Sequence, residues 1–340
     1  MRMPDFWRAE GALWPARLLT PFAAVLGTLT LRRMARTGFR APVPVVAIGN
    51  FTAGGAGKTP ATIALAEAFS ARGERPFVIM RGHGGRLAGP VAVDPRRHAA
   101  ETVGDEALLL ARAAPVIVAR DRAAGARRAV AAGATLLLLD DALQNPHLIK
   151  DLTLALIDGA FGFGNGRVIP AGPLRAPLEG QWPQVDCAVI VGPDTAGIAA
   201  RIGPAIPLHP ARLEPAPEAA ARLAGVRVLA FSGIGLPEKF EASLRACGAE
   251  IAAAHRFGDH HRFTPAEARR ILAEAEQLGA RPVTTEKDHV RLGGHPDLER
   301  LAARAEILPV TLRLAPETLD LAYRAVDSAR SRISTASGPA

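Results

Sequence analysis

The segment between residues 43 and 71 constrains the fold most strongly, because it joins an apolar run to a predicted helix through a glycine-rich turn. Residues 43–48 predict a buried strand, and residues 61–71 predict a helix. Between them lies the pattern of a phosphate-binding P-loop, in which backbone N–H groups and the helix N-terminus surround phosphates. Its lysine reaches the outer phosphates, and the hydroxyl that follows can hold Mg²⁺. We therefore predict that a nucleoside triphosphate binds at Thr52, Ala53, Gly54, Gly55, Ala56, Gly57, Lys58 and Thr59.

Two details of this turn decide between binding and an ordinary glycine-rich turn with an incidental lysine. Thr52 occupies the position where the usual pattern has its first glycine. The chain has only four lysines, and arginine carries almost all the remaining positive charge. A lysine kept in so arginine-rich a chain indicates that a compact ammonium group is needed, which favours the P-loop. The four are Lys58, Lys150, Lys239 and Lys287.

Composition limits the class of protein. With 340 residues, 49% of them hydrophobic and 22% charged, the chain can form one large or two medium globular domains. Cys187 and Cys247 lie far apart without metal-ligand spacing, which favours a reducing compartment over a disulfide framework. The net charge of +8 indicates anionic partners, and nucleotide or acidic lipid is favoured because no nucleic-acid module is recognisable.

The N-terminal segment has a character of its own. Residues 18–31 contain no charged side chain, Trp7 and Trp14 precede them, and arginines follow. The run is short for a transmembrane helix, and prolines interrupt it. A helix in the membrane interface, with tryptophans at headgroup level and arginines on anionic lipid, is favoured. A helix packed on the protein's own core is the alternative.

Short apolar runs separated by helical stretches follow the P-loop helix. The strands predicted at Pro76–Met80, Cys187–Val191 and residues 152–157 are apolar throughout, as in a sheet covered on both faces. We predict an α/β fold with a P-loop NTPase-like parallel sheet flanked by helices. A proline-rich stretch at 204–217 predicts a connection to a smaller α/β lobe, in which residues 308–314 predict one strand. The expected parts are an N-terminal membrane-associating helical segment (1–40), a P-loop core (41–217), a C-terminal lobe (218–328) and a disordered tail (329–340), with disorder beginning near Ser328.

A second motif lies at the end of the strand predicted at residues 135–139. Asp140 and Asp141 follow this apolar run, as in a Walker B strand whose tip presents a carboxylate to Mg²⁺. A strand followed by an acidic turn is the alternative, which loses weight because a P-loop lies upstream in the same predicted sheet. Neighbouring side chains of an extended chain diverge, so we expect one carboxylate on the metal and the other on a metal-bound water or the substrate.

Two further polar groups precede or begin helices. A helix is predicted for residues 101–113, and Asp105, directly after Gly104, has the pattern of an N-cap or first helical residue. The pattern alone favours ordinary capping. Asp259, His260 and His261 indicate metal binding or acid–base chemistry. Adjacent histidines diverge on a strand, so acid–base chemistry or substrate contact is favoured over a zinc site.

Two glycine-rich loops carry candidate phosphate-binding arginines. The loop at residues 164–175 ends in Arg175, and a guanidinium on such a loop can bind phosphate through paired hydrogen bonds. Residues 81–85 directly follow a predicted strand, at the carboxyl edge of the sheet where ligands of α/β proteins bind. A solvated surface loop is the alternative.

Six motifs in this order resemble the tetraacyldisaccharide 4′-kinase family, the lipid A 4′-kinases of Gram-negative bacteria. The resemblance covers nearly the whole chain, and the family P-loop also lacks the first glycine. The motifs are Ile48-Gly49-Asn50-Phe51-Thr52-Ala53-Gly54-Gly55-Ala56-Gly57-Lys58-Thr59-Pro60, Arg81-Gly82-His83-Gly84-Gly85, Gly104-Asp105-Glu106, Asp140-Asp141-Ala142-Leu143-Gln144, Pro170-Ala171-Gly172-Pro173-Leu174-Arg175 and Asp259-His260-His261.

The resemblance implies transfer of the γ-phosphoryl group of ATP to the 4′-hydroxyl of an acylated glucosamine disaccharide 1-phosphate, which forms lipid IVA. It implies that Asp105 is the general base, paired with His260, and that Arg175 binds the γ-phosphate. ATP and Mg²⁺ are the expected cofactors. The expected catalytic residues are Asp105, His260, Lys58 and Asp141; the metal ligands Thr59, Asp140 and Asp141; the substrate contacts His83, Arg122, Gln144 and Asp259.

The resemblance also implies partners and a location. The expected partners are the lipid disaccharide and an anionic inner-membrane surface, with no nucleic acid and no obligate protein partner, at the cytoplasmic face of the bacterial inner membrane. Four residues depart from the family pattern and weaken the assigned substrate contacts: His83 for tyrosine, Ala142 for glycine, Asn145 for histidine and Ala176 for glutamate. A P-loop switch or metallochaperone-type NTPase that acts on a protein partner is the alternative function.

Overall fold

Two sheets organise the computed structural model, which describes residues 4–8 and 13–336. In chain order, the strands of these residues are β1 (Val45–Asn50), β2 (Pro76–Met80), β3 (Val91–Ala92), β4 (Val116–Val118), β5 (Leu136–Leu139), β6 (Leu152–Asp158), β7 (Cys187–Val191), β8 (Leu208–Pro215), β9 (Arg227–Ser232), β10 (Glu250–Arg256), β11 (Arg281–Thr285), β12 (Glu306–Leu308) and β13 (Val310–Leu314). The larger sheet has the order β13-β8-β7-β6-β1-β5-β2-β4-β3, and the smaller has the order β10-β9-β11-β12. Neighbouring strands are parallel except for the pairs β3–β4 and β13–β8.

Helices cover both sheets. In chain order, those of the described residues are α1 (Leu13–Met34), α2 (Lys58–Ala71), α3 (Ala100–Val103), α4 (Asp105–Leu110), α5 (Arg122–Ala131), α6 (Leu178–Gln181), α7 (Ile198–Ile202), α8 (Pro217–Leu223), α9 (Pro237–Ala246), α10 (Pro265–Gln277), α11 (Glu286–His289), α12 (Pro296–Arg304) and α13 (Pro316–Ala336). A 3-10 helix at Asp5–Trp7 precedes α1.

The central strands are buried on both faces. Val46 and Ile48 of β1 pack in one core with α2 and α13, whereas Val45 and Ala47 pack in the opposite core with α5. Strands covered on both faces read as unbroken apolar runs in the sequence. The predicted parallel sheet with helices on both sides is therefore confirmed, as is the second, smaller α/β lobe.

The proline-rich stretch is part of the main sheet rather than a simple connection, so that prediction is wrong. Residues 208–215 form β8, which pairs with β7 on one side and β13 on the other. A proline lacks an N–H donor but keeps its carbonyl, and a strand near the sheet edge tolerates that loss.

The boundary of the second lobe also differs from the prediction. Residues 308–314 form parts of two strands, because Pro309 separates β12 in the small sheet from β13 in the large sheet. The N–H of Ala216 donates to the carbonyl of Pro309 at 2.9 Å, so the outgoing and returning chain segments lie side by side. The C-terminal helix α13 then packs on the P-loop core, with Ala322 and Val326 buried in it.

The tail expected to be disordered from Ser328 is helical as far as Ala336, and residues 337–340 lie outside the described part. Ion pairs hold this end of α13 to the core: Arg330 to Glu74 at 2.7 Å and Arg332 to Asp151 at 3.2 Å. The small polar composition that predicted disorder is therefore compatible with a docked helix.

The uncharged N-terminal run lies within α1, which contains Pro21. Among the described residues, no helix combines the length and apolar character needed to cross a membrane. One stripe of α1 nevertheless leaves large apolar side chains exposed at helical spacing: Trp14, Leu18, Phe22, Val25, Leu26 and Leu29.

Candidate active site

The P-loop leads from β1 directly into α2. Gly57 has a left-handed backbone (φ 82°), and Lys58 is the first residue of α2. The ammonium of Lys58 donates to the carbonyl of Gly54 at 3.2 Å, as does the side-chain amide of Asn50, also at 3.2 Å. The turn therefore points the positive end of α2 at the space over the carboxyl edge of β1, where a phosphate chain is stabilised.

The acidic pair lies beside this loop because β5 runs parallel to β1, with Ala47 opposite Leu139. Asp140 is buried, and its Oδ1 accepts a hydrogen bond from the hydroxyl of Thr62 at 3.0 Å. Asp141 has a positive φ of 53°. Its Oδ1 lies 3.8 Å from the ammonium of Lys58.

The two carboxyl groups have opposite proton affinities. Burial, together with the negative charges of Glu106 and Asp141, raises the pKa of Asp140 to about 7. Burial also acts on Asp141, but the cations Lys58 and Arg175 outweigh it and hold the pKa of Asp141 below its usual range. Asp140 is therefore a buried carboxyl group with too little positive charge around it.

This deficit fits a divalent cation. Among residues 4–8 and 13–336, no group of three or more His, Cys, Asp or Glu side chains is arranged to hold a metal ion by itself. Mg²⁺ is usually held by one or two carboxylates together with substrate phosphates and water. Asp140, Asp141 and the hydroxyl of Thr59, one helical turn before Thr62, are a donor set of that kind.

The loop that ends in Arg175 is joined to the P-loop through the backbone. Ala53 N–H donates to the Pro173 carbonyl at 2.7 Å, and Arg175 N–H donates to the Phe51 carbonyl at 2.9 Å. The guanidinium of Arg175 then reaches Asp141, with Nη1 2.8 Å from Oδ1. Arg175, Lys58 and Asp141 therefore meet at one place beside the P-loop.

Asp105 begins α4 after Gly104, whose backbone (φ 92°, ψ 146°) divides the single helix predicted at residues 101–113 into α3 and α4. Gly104 is the N-cap of α4, so Asp105 is the first residue of the helix and not its cap. Its Oδ2 instead lies 3.3 Å from Nδ1 of His260 and accepts from Nε of Arg291 at 3.0 Å and from Nη2 of the same guanidinium. Burial alone would raise the pKa of Asp105, but His260, Lys287 and Arg291 outweigh it and hold the pKa well below its usual range.

His260 and Asp105 come from different lobes, yet they lie on the same cavity. This cavity, of about 380 Å³, is lined by His83, Asp105, His260, Arg262 and Arg291, among other residues. The rings of His83 and His260 are 5.7 Å apart, and Oδ2 of Asp259 is 3.9 Å from Nε2 of His260. The structure thus brings together four of the residues assigned to catalysis and substrate contact.

His260 and Asp141 share a strained backbone. Within the described part of the chain, they are the two non-glycine residues with positive φ, at 57° and 53°. Such conformations persist where the surroundings fix them, and they concentrate at functional sites.

Two residues assigned to substrate contact, Gln144 and Arg122, do not line this cavity, and both side chains are buried. Nε2 of Gln144 donates to the Asn50 carbonyl and to Oε1 of Gln181, each at 2.8 Å, which is a structural network. Arg122 donates to the Ala119 carbonyl at 2.6 Å. Burial lowers its pKa to about 10, against the opposing charges of Asp140 and Asp141, so Arg122 lies beside the acidic pair.

Sequence reasoning missed Lys287 and Arg291, both on or next to α11. The ammonium of Lys287 lies 3.3 Å from Oε1 of Glu106 and 3.3 Å from Nε2 of His260. A signal was available for Lys287, since it is one of the four lysines that single out Lys58. None was available for Arg291, because arginines are abundant in this chain.

A nucleotide loop, an acidic pair at the neighbouring strand and a second lobe that reaches the same edge define a P-loop phosphotransferase of the α/β class. The family model described as tetraacyldisaccharide-1-P 4′-kinase matches residues 12–326. The chain therefore belongs to the tetraacyldisaccharide 4′-kinase family.

Individual relatives agree with this assignment. The tetraacyldisaccharide 4′-kinase of Methylobacterium nodulans is 51% identical over 93% of this chain and 92% of its own length. That of Rhodospirillum rubrum is 52% identical over 86% of this chain and 89% of its own. The solved structure of LpxK from Aquifex aeolicus, an "apo" form in complex with ATP, superposes with a TM-score of 0.70 at 24% identity, covering 92% of this chain and 99% of the other. The similarity to this LpxK structure supports the fold described above.

Proposed function

We propose that this protein transfers the γ-phosphoryl group of ATP to the 4′-hydroxyl of an acylated glucosamine disaccharide 1-phosphate, which forms lipid IVA. The observation that carries the proposal is the meeting of Asp105 and His260, 3.3 Å apart, on a cavity between the two lobes. A hydrolytic switch needs only a positioned water, whereas a kinase needs a base for a bulky acceptor hydroxyl in a site that excludes water.

The nucleotide half of the reaction belongs to the loop at Thr52 to Thr59. Its backbone N–H groups and Lys58 stabilise negative charge on the β- and γ-phosphate oxygens, and Arg175 binds the γ-phosphate. Mg²⁺, held by Thr59, Asp140 and Asp141, supplies further charge stabilisation when bound. Asp141 lies between the two cations, and this position supports its assignment to the phosphate side.

The acceptor half belongs to Asp105. The hydrogen bonds and ion pairs of this carboxylate to other described residues all fall on Oδ2. Its Oδ1 is therefore the atom available to accept the proton of the 4′-hydroxyl as the oxygen attacks phosphorus. His83 and Asp259 line or border the same space and are the proposed contacts to the disaccharide headgroup.

The apolar stripe of α1 gives the proposed membrane contact. Trp14, Leu18 and Phe22 are each about two-thirds exposed, at 68%, 68% and 66%, and arginines end the helix. Such a helix can lie in the interface with its apolar face among acyl chains and its cations on anionic headgroups. We place the protein as a peripheral protein at the cytoplasmic face of the inner membrane, where ATP and the lipid meet.

The acceptor dependence of ADP release tests the kinase assignment against the switch-type NTPase. ADP release is measured with ATP and Mg²⁺, with and without the lipid disaccharide 1-phosphate in detergent micelles. Release that requires the lipid and matches the lipid phosphorylated supports the kinase. Equal release in empty micelles and lipid micelles would favour the NTPase. Lys58→Ala provides the control for contaminating activity.

A further inference from the structure

Two cations of the second lobe lie beside Asp105 and His260, and the sequence motifs assign them no role. Lys287 lies in α11, and Arg291 follows four residues later. Both reach across the lobe boundary, Lys287 to Glu106 and Arg291 to Asp105.

Contacts within its own lobe fix the guanidinium of Arg291. Its Nη1 donates to Oδ1 of Asp288 at 2.7 Å and to the Gly233 carbonyl at 2.9 Å. Asp288 is fully buried, and its other oxygen accepts from the Thr285 hydroxyl at 2.7 Å and the Gly233 N–H at 3.0 Å. The guanidinium is therefore fixed before it meets Asp105, and it engages Oδ2 through two of its nitrogens.

Lys287 acts on the ring of His260. An ammonium group can only donate hydrogen bonds, so Nε2 of a neutral His260 must be the acceptor of the 3.3 Å contact. The ring proton then lies on Nδ1, which faces Oδ2 of Asp105 at 3.3 Å. Nη2 of Arg291 also lies 3.3 Å from Nδ1 and can only donate, so the Nδ1–H tautomer requires that Nη2 direct its hydrogens to Oδ2 of Asp105, its shorter contact. Oδ2 of Asp259 also faces the ring, 3.9 Å from Nε2.

We propose that Arg291 and Lys287 are positioning residues of the phosphoryl transfer: Arg291 and the Nδ1–H of His260 occupy Oδ2 of Asp105 so that Oδ1 meets the acceptor hydroxyl, and Lys287 selects that tautomer of His260. The inference rests on the proposed function, because it assigns Asp105 the role of base. The two oxygens of the Asp105 carboxylate then have different roles: the second lobe holds Oδ2, and Oδ1 is left for the substrate.

Kinetics with a matched control test whether Arg291 and Lys287 position Asp105 for the reaction. We compare three variants, Arg291→Gln, Arg291→Lys and Lys287→Met, with the control Arg112→Gln. The control removes the ion pair between Arg112 and Glu286, 3.2 Å apart, which crosses the same lobe boundary but touches neither Asp105 nor His260. Arg291→Lys keeps a cation beside Asp288 but loses the two-nitrogen grip, so it tests positioning even if Arg291→Gln folds poorly. Misplacement by about 1 Å lowers a rate about 10²-fold, so we expect kcat to fall by that factor with KM for ATP unchanged.

The result for Arg112→Gln decides what such a loss means. Near-normal kcat in this variant, with large losses in the other three, supports positioning of the base. Equal losses in all four variants would show that the ion pairs only dock the lobes and would overturn the proposal. Normal kcat in Arg291→Lys and Lys287→Met would overturn it as well.

Nitrogen NMR of the ¹⁵N-histidine-labelled protein tests the tautomer of His260 without any turnover. The variant His260→Gln identifies the signal of this residue. We expect the Nδ1–H tautomer in the wild type and a shift toward Nε2–H in Lys287→Met. An Nε2–H tautomer in the wild type would refute the role of Lys287. If the tautomer is as expected but no lipid is phosphorylated, the proposed function fails while the placement of Asp105 and His260 stands.

Discussion

Replacing Gly104 by alanine tests whether the bend between α3 and α4 places the base. The backbone of Gly104 (φ 92°, ψ 146°) lies in a region that residues with a side chain rarely adopt. A Cβ built there would lie 2.6 Å from the carbonyl oxygen of His83, far inside the 3.4 Å at which ordinary contact begins. The Cβ is fixed rigidly to the backbone and the oxygen that it meets is a backbone atom, so relief requires a shift on the order of 1 Å in the segments that carry Asp105 and His83.

Gly73→Ala is the matched control. Gly73 also has a positive φ, 83°, but a Cβ there meets nothing within 4 Å. The left-handed backbone costs an alanine about 1–2 kcal/mol at Gly73, whereas the more restricted region costs about 3 kcal/mol at Gly104. With an unfolding entropy near 2.1 cal/mol/K per residue, these costs lower Tm by about 2 °C and about 4 °C.

Turnover separates the two variants more sharply than stability. A 1 Å misplacement of the base lowers kcat about 10²-fold in Gly104→Ala, whereas Gly73→Ala keeps the wild-type kcat. Steady-state phosphorylation in detergent micelles below 30 °C, with Tm measured on the same samples, gives both quantities. Wild-type turnover in Gly104→Ala, or equal turnover losses in the two variants, would refute the assignment of the bend to catalysis.

Three further results are expected. Asp105→Asn will lower kcat about 10²–10⁴-fold in the phosphorylation assay, and near-normal turnover would remove Asp105 from the mechanism. Burial lowers the pKa of Lys150 from 10.5 to about 8, so between these pH values the unfolded chain binds a proton that the folded chain has released. The contribution of Lys150 to stability therefore rises with pH through that window; Lys150→Met will lose the rise in Tm, and an unchanged Tm profile would contradict the burial of the ammonium. Leu18→Ser combined with Phe22→Ser will weaken binding to anionic vesicles about 10²-fold, since a buried apolar side chain contributes about 1.5–3 kcal/mol. The control is Leu213→Ser, at an exposed leucine of β8. Equal binding of the double variant and this control would refute the membrane role of α1.

Local patterns predict the elements of this chain well. The strands Pro76–Met80 and Cys187–Val191 have the predicted bounds, because unbroken apolar runs between helices leave few alternatives. The P-loop and the acidic pair are predicted in the same sheet, and they lie at one edge because β1 and β5 are parallel neighbours. These inferences depend only on residues close in sequence.

Long-range pairing lies beyond such patterns. The return of β13 to the large sheet depends on a partner strand, β8, that is almost 100 positions earlier and rich in proline. The contact of Arg291 with Asp105 spans 186 positions, and one arginine among many carries no local mark. Gln144 shows a further gap, because its place in a motif did not reveal that its amide is bound to Asn50 and Gln181 inside the core.

The regiochemistry of the product tests the central claim most directly. The full-length protein is incubated with ATP, Mg²⁺ and the acylated glucosamine disaccharide 1-phosphate in micelles, and the lipid is examined by mass spectrometry and phosphorus NMR. We predict a gain of one phosphate in the wild type, as a monoester at the 4′-oxygen, and the same product formed about 10²–10⁴-fold more slowly in Asp105→Asn. A lipid left unphosphorylated while ATP is consumed, or a new phosphate on another oxygen, would contradict the account.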